Sequence, residues 1–140
     1  RDLHKEYRRQ RQMCIRDRGG FQSIRKLCSK GGRLQESREA VLTAVEESDY
    51  LTLVPPKGSM YAFIGVNTEK LPSFDDEAFA MELLEQQHVL VAPGSSFNTD
   101  YRSHFRITTL PDEELLGKVF ARINEVLEQM ASRPPKLETA

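Results

Sequence analysis

The chain has 140 residues, 39% hydrophobic and 29% charged, enough apolar material for one globular domain with a core of its own. Lys and Arg total 20 against 21 Asp and Glu, and a net charge of -1 gives no electrostatic case for a nucleic-acid partner. Cys14 and Cys28 have neither metal-knuckle spacing nor the density of a disulfide scaffold, no apolar run approaches the ~18 residues of a membrane span, and the polar, basic start is unlike a signal peptide. The expectation is a cytoplasmic protein with no membrane partner.

Residues 1–18 are rich in arginine, and their apolar side chains are too scattered to form a buried face. A basic nucleic-acid arm and a solvated tail are both open readings, and the lack of a glycine- or aromatic-spaced motif favours the tail. Within it, Met13-Cys14-Ile15-Arg16-Asp17-Arg18 resembles a translated sequencing linker, so the stretch is expected to be foreign to the domain. From Gly31-Gly32 the pattern becomes regular. Leu34, Val41, Leu42 and Val45 predict a helix over residues 33–47. Leu51 to Val54 and Met60 to Val66 predict two strands around a turn at Pro55-Pro56-Lys57-Gly58-Ser59. Ser73-Phe74-Asp75-Asp76 fits a capping box with Ser73 as the cap, opening a helix that runs to Gln87 with Phe79, Ala80, Leu83 and Leu84 on its apolar face. Val89 to Ala92 predicts a buried strand stopped by Pro93-Gly94, and His104 to Thr108 another.

Pro111 and the acids Asp112, Glu113 and Glu114 open the clearest helix. Its stripe is Leu115, Leu116, Val119, Phe120, Ile123, Val126, Leu127 and Met130, and Pro134-Pro135 stop it. The order helix, strand, strand, helix, strand, strand, helix predicts an α+β fold, with helices packed on one face of a small, mostly antiparallel sheet. The expected boundaries are a tail over 1–18, a domain over 19–132 and a polar end over 133–140.

Arg106 is the most informative polar residue, because alternation along its strand puts it opposite Phe105 and Ile107. Its planar fork suits a carboxylate, as in an amino or keto acid. An internal ion pair, or an arginine facing water, is the ordinary alternative on residues alone. Pro93-Gly94-Ser95-Ser96-Phe97-Asn98 lies between two strands, where small residues admit a ligand and Phe97 can wall a pocket, or where a plain connection would look the same. Lys30, after Ser29 and before Gly31-Gly32, is rejected as a catalytic lysine because no strand precedes it and the glycines mark a turn. His4, His88 and His104 belong to no array of metal spacing, so no metal site is expected.

Three segments resemble class I/II aminotransferases in order, and within them the bacterial alanine (glutamate-pyruvate) branch. They are Gly19 to Ile24 with Gly31 to Leu34, then Pro56 to Phe63, then Val89 through His104-Phe105-Arg106-Ile107-Thr108-Thr109-Leu110-Pro111. The resemblance implies the carboxy-terminal small domain of a fold-type I pyridoxal-phosphate enzyme. It implies that Arg106 binds the substrate α-carboxylate and that Phe97, Asn98 and Tyr61 line the substrate site. Asn98 stands where glycine is common in the wider family, in agreement with the alanine branch.

The resemblance further implies amino-acid and 2-oxo-acid substrates, a homodimeric parent, and a large domain supplying the Schiff-base lysine and every cofactor contact. None of those large-domain features is found in this sequence, so a chain inactive alone is expected. A stand-alone small-carboxylate-binding or protein-interaction module is the alternative.

Overall fold

The structure, a computed structural model, describes residues 20–100 and 102–133, which form parts of two compact units, residues 1–36 and 37–140. The tail expected over 1–18 and the Pro134-Pro135 stop lie outside the described residues.

In the first unit, helix α1 (Gly20–Cys28) ends in a turn. The patterning had not indicated this helix, because most of its described side chains are exposed and no buried stripe marks it. Gly31 has φ +78°, and a Cβ on Gly32 would stand 2.3 Å from the Lys26 carbonyl oxygen. The glycine pair is therefore a turn that closes tightly on α1, as its composition suggested. Lys30 is an exposed residue of that turn. Helix α2 (Arg33–Glu46) follows, its residues from Ser37 onward belonging to the second unit.

The second unit holds a four-stranded sheet in the order β1-β2-β4-β3, antiparallel throughout: β1 (Leu51–Leu53), β2 (Tyr61–Val66), β3 (Ala92–Pro93) and β4 (His104–Thr108). Helices α3 (Asp76–Gln87) and α4 (Glu113–Ala131) complete it. One sheet face presents Leu51, Ala62, Ile64, Val66, Phe105 and Ile107 to a single core shared with Val41 and Val45 of α2, Phe79 and Leu83 of α3, and Phe120, Ile123, Val126 and Leu127 of α4. This is the expected α+β arrangement.

Three local expectations need correction. The cap of α3 is Asp75, not Ser73: its carboxylate accepts the Ala78 amide at 2.7 Å, and Ser73 is exposed. Phe74 packs on Phe79 with ring centroids 5.3 Å apart, a staple between the residue before the cap and the fourth helical residue that sets the helix start one step after Asp75.

The strand expected over 89–92 is paired only at Ala92 and Pro93. His88, in the left-handed region at φ 56°, closes α3, and the Val89 amide bonds back to the Leu83 carbonyl, so that donor serves the helix end and not a ladder. In the α4 stripe, Leu115 is exposed while Leu116, Phe120, Ile123, Val126 and Leu127 are buried. Asp112 caps α4 by accepting the Leu115 amide at 2.9 Å.

Candidate functional site

The site lies on the open face of the sheet, the one the helices leave bare. Alternation turns Tyr61, Phe63 and Gly65 of β2 and His104, Arg106 and Thr108 of β4 to that face. The register sets Tyr61 opposite Thr108, Phe63 opposite Arg106 and Gly65 opposite His104. Facing away from an apolar core, these positions are free to carry aromatic and charged groups.

Arg106 sits at the centre. Its guanidinium carbon is 4.5 Å from the Tyr61 ring centroid and 4.5 Å from that of Phe97. Each contact contributes roughly 0.5–2 kcal/mol and holds the side chain without using its N–H donors. Among the described residues Arg106 forms no ion pair and no side-chain hydrogen bond. Of the two ordinary alternatives, an arginine paired with an internal acid is therefore not what these residues form.

Phe97 ends a short turn, Gly94–Phe97, that follows β3 directly. It meets Phe63 edge-on at 5.9 Å, and Phe63 in turn stacks on His104 at 5.1 Å and 14°. The His104 ring has room because residue 65 is glycine: a Cβ there would lie 2.6 Å from Thr52 Oγ1 and 3.1 Å from His104 Nε2. Asn98 adopts φ 54° and ψ 43°, a left-handed conformation that asparagine tolerates better than most residues, and its amide returns to the Ser95 carbonyl at 3.3 Å. Glycine is thus not required at this position for the turn to close.

The structure brings three of the four expected site residues, Arg106, Tyr61 and Phe97, into contact. Asn98 contributes through its backbone, and its side chain is exposed. Phe63 and His104 extend the cluster and were missed as site residues. Strand alternation could have placed them on the Arg106 face, but the pairing register that makes them neighbours is not written in either strand alone. Asp76, read from sequence only as the acid of the Ser73 capping box, is fully buried and accepts the Ser95 backbone amide at 2.6 Å. Among the described residues no group of His, Cys, Asp and Glu could hold a metal ion, and no helix is long and apolar enough to cross a membrane.

Comparison with known proteins bears on the same residues. The sequence is 36% identical over 107 residues to the glutamate-pyruvate aminotransferase AlaA of Escherichia coli strain K12, covering 74% of this chain and 26% of that protein. It is 36% identical over 109 residues to the alanine aminotransferase of Mycobacterium tuberculosis strain H37Rv, covering 78% of this chain and 25% of that one. The chain thus spans about a quarter of the length of these relatives.

Among solved structures, an aminotransferase from Escherichia coli superposes with a TM-score of 0.68 at 28% identity, over 84% of this chain and 28% of that one. The alanine aminotransferase from Pyrococcus furiosus gives 0.62 at 27% identity, over 69% and 24%. The family described as Aminotransferase class I and II matches residues 21–123, a stretch that includes the strand of Arg106, the turn of Phe97 and the strand of Tyr61, and the chain belongs to that family.

Proposed function

We propose that the complete protein transfers an amino group between alanine and 2-oxoglutarate through pyridoxal phosphate, and that Arg106 binds the α-carboxylate of the substrate. The observation that carries the assignment is an arginine held by two rings with its hydrogen-bonding edge uncommitted among the described residues. A guanidinium in that state can offer two parallel N–H donors to a planar carboxylate, the pairing in which arginine exceeds lysine. The choice of alanine rests on relatives named glutamate-pyruvate and alanine aminotransferase.

Pyridoxal phosphate is the cofactor of the family, and it supplies the electron sink for amino transfer when bound. The side chains gathered around Arg106 do not make a site for it. Thr52, Tyr61, Phe63, His104, Arg106 and Thr108 offer neither a lysine amine nor an acid for a pyridine nitrogen. The cofactor contacts are assigned to the part of the relatives' length that this chain does not span.

What this chain's residues do is orient and shield. Tyr61 and Phe97 fix the guanidinium plane, so little rotamer freedom is lost when the carboxylate arrives. Their rings, with Phe63, also thin the water around the ion pair and strengthen it. The test compares kcat/KM for alanine and for an amine lacking the carboxylate, in the full-length enzyme and in Arg106→Ala. The expected result is loss of most of the preference for alanine. An unchanged preference in a folded, cofactor-loaded variant would return Arg106 to a structural role.

A further inference from the structure

We propose that Asp76 is a positioning residue for the carboxylate site: its buried carboxylate fixes the turn that carries Phe97, and through Phe97 the guanidinium of Arg106. The proposal rests on the reading of Arg106 given above. Asp76 is the first residue of α3 and is fully buried, although nothing about an amphipathic helix requires an acid inside. A buried carboxyl is costly unless it is hydrogen-bonded. Among the described residues its Oδ1 has no hydrogen-bond partner, and its Oδ2 accepts the backbone N–H of Ser95 at 2.6 Å. That bond is thus the polar anchor of Asp76, and it joins the start of α3 to the second residue of the Gly94–Phe97 turn.

Other bonds of this turn are longer or more exposed. Ser95 Oγ donates to Glu77 Oε1 at 3.0 Å on the surface, Thr99 Oγ1 to the Gly94 carbonyl at 3.3 Å, and the Asn98 amide to the Ser95 carbonyl at 3.3 Å. Ser95 lies two residues before Phe97, whose ring stands 4.5 Å from the guanidinium carbon. The core helix, the buried carboxylate, the turn and the ring therefore form one connected support for Arg106. A support of this kind changes how well a carboxylate is held without touching it.

The experiment uses the 140-residue chain and does not depend on catalysis. Ring-current displacement of the Arg106 Nε–H and side-chain methylene signals in NMR reports whether Phe97 and Tyr61 lie over the guanidinium. A pyruvate titration of the same signals, with acetone as the carboxylate-free control, reports carboxylate binding. Asp76→Ala is expected to lose much of the ring-current displacement and to raise the pyruvate concentration at half-saturation about fivefold, the scale of one orienting contact. Asp76→Asn, whose amide oxygen can still accept the Ser95 N–H, is expected to keep both.

A general loss of stability does not predict this split between alanine and asparagine in the folded population. If Asp76→Ala does not fold, Ser95→Pro removes the donor while leaving Asp76 in place, and the same two losses are expected. Wild-type behaviour of the Arg106 signals in whichever of these two variants folds would overturn the proposal. So would an Asp76→Asn variant with both losses. A wild-type chain that ignores pyruvate would instead defeat the carboxylate reading of Arg106, while the ring-current comparison would still decide whether Asp76 places Phe97.

Discussion

Single residues on the open face of the sheet set what the site can do, and their demands differ in kind. In the proposed carboxylate role, Arg106 is needed for shape as well as charge. Arg106→Lys keeps the charge but loses the planar fork, so a penalty of roughly 2–5 kcal/mol in kcat/KM for alanine is expected in the full-length enzyme, with cofactor affinity little changed. Gly65 is needed for space: its neighbours Thr52 Oγ1 and His104 Nε2 leave no room for a Cβ. Gly65→Ala is expected to destabilise the chain by roughly 1–3 kcal/mol and to disturb the Phe63–His104 stack, measured by urea unfolding and by the His104 ring signals.

An exposed pair marks the opposite extreme. The Lys70 ammonium, 2.6 Å from Asp49, hydrogen-bonds to its carboxylate and attracts it, which lowers the Asp49 pKa. A carboxylate whose pKa is depressed by folding contributes stability that is present above its unfolded value and lost as the pH falls through the folded one. Here both side chains face water, so that contribution is small. Lys70→Ala should raise the Asp49 pKa in an NMR titration while leaving the unfolding midpoint at neutral pH nearly unmoved.

At the scale of elements, periodicity was informative wherever a whole face is buried, and misleading where a backbone donor was diverted. The stripe of α4 was legible because five of its positions enter the core, and β4 was legible because it is a central strand with strict alternation. The start of α3 was misread by two residues, since Ser73 and Asp75 are both good caps and only the Phe74–Phe79 contact chooses between them. Residues 89–91 carry the alternation of a strand, with Val89 and Val91 buried and Leu90 exposed, but the end of α3 takes the first amide.

The same contrast within α4 gives a prediction. Phe120→Ala and Ile123→Ala should each cost about 2–5 kcal/mol, because both side chains are fully enclosed. Leu115→Ala, on the exposed flank of the same helix, should change stability by no more than ~0.5 kcal/mol. Chemical denaturation of the three variants reads the difference, and equal losses would contradict the placement of the stripe.

For the whole molecule, the sheet has one face closed by helices and one open face on which Tyr61, Phe63 and Phe97 remain partly exposed beside an arginine uncommitted among the described residues. The arginine's position was readable from one strand. Its company was not, since Tyr61 and Phe97 meet it from another strand and from a turn, and Asp76 bonds that turn at Ser95 from a helix.

A face that offers an arginine fork and no lysine fits the proposed carboxylate role and not amine chemistry, which leads to an expectation for the 140-residue chain itself. Its strands turn no lysine toward Arg106, and Lys30, the lysine with a superficially suitable neighbourhood, is an exposed turn residue following α1. Being exposed, Lys30 lacks the desolvating pocket that makes a lysine amine nucleophilic. With alanine, 2-oxoglutarate and pyridoxal phosphate, the chain should therefore produce pyruvate no faster than buffer does. Borohydride reduction followed by peptide mass mapping should show cofactor spread thinly over surface lysines, with the same total in Lys30→Ala. Turnover that disappears in Lys30→Ala, together with cofactor concentrated on that residue in the wild type, would show that the chain carries its own catalytic amine and would overturn the assignment of this domain to substrate binding alone.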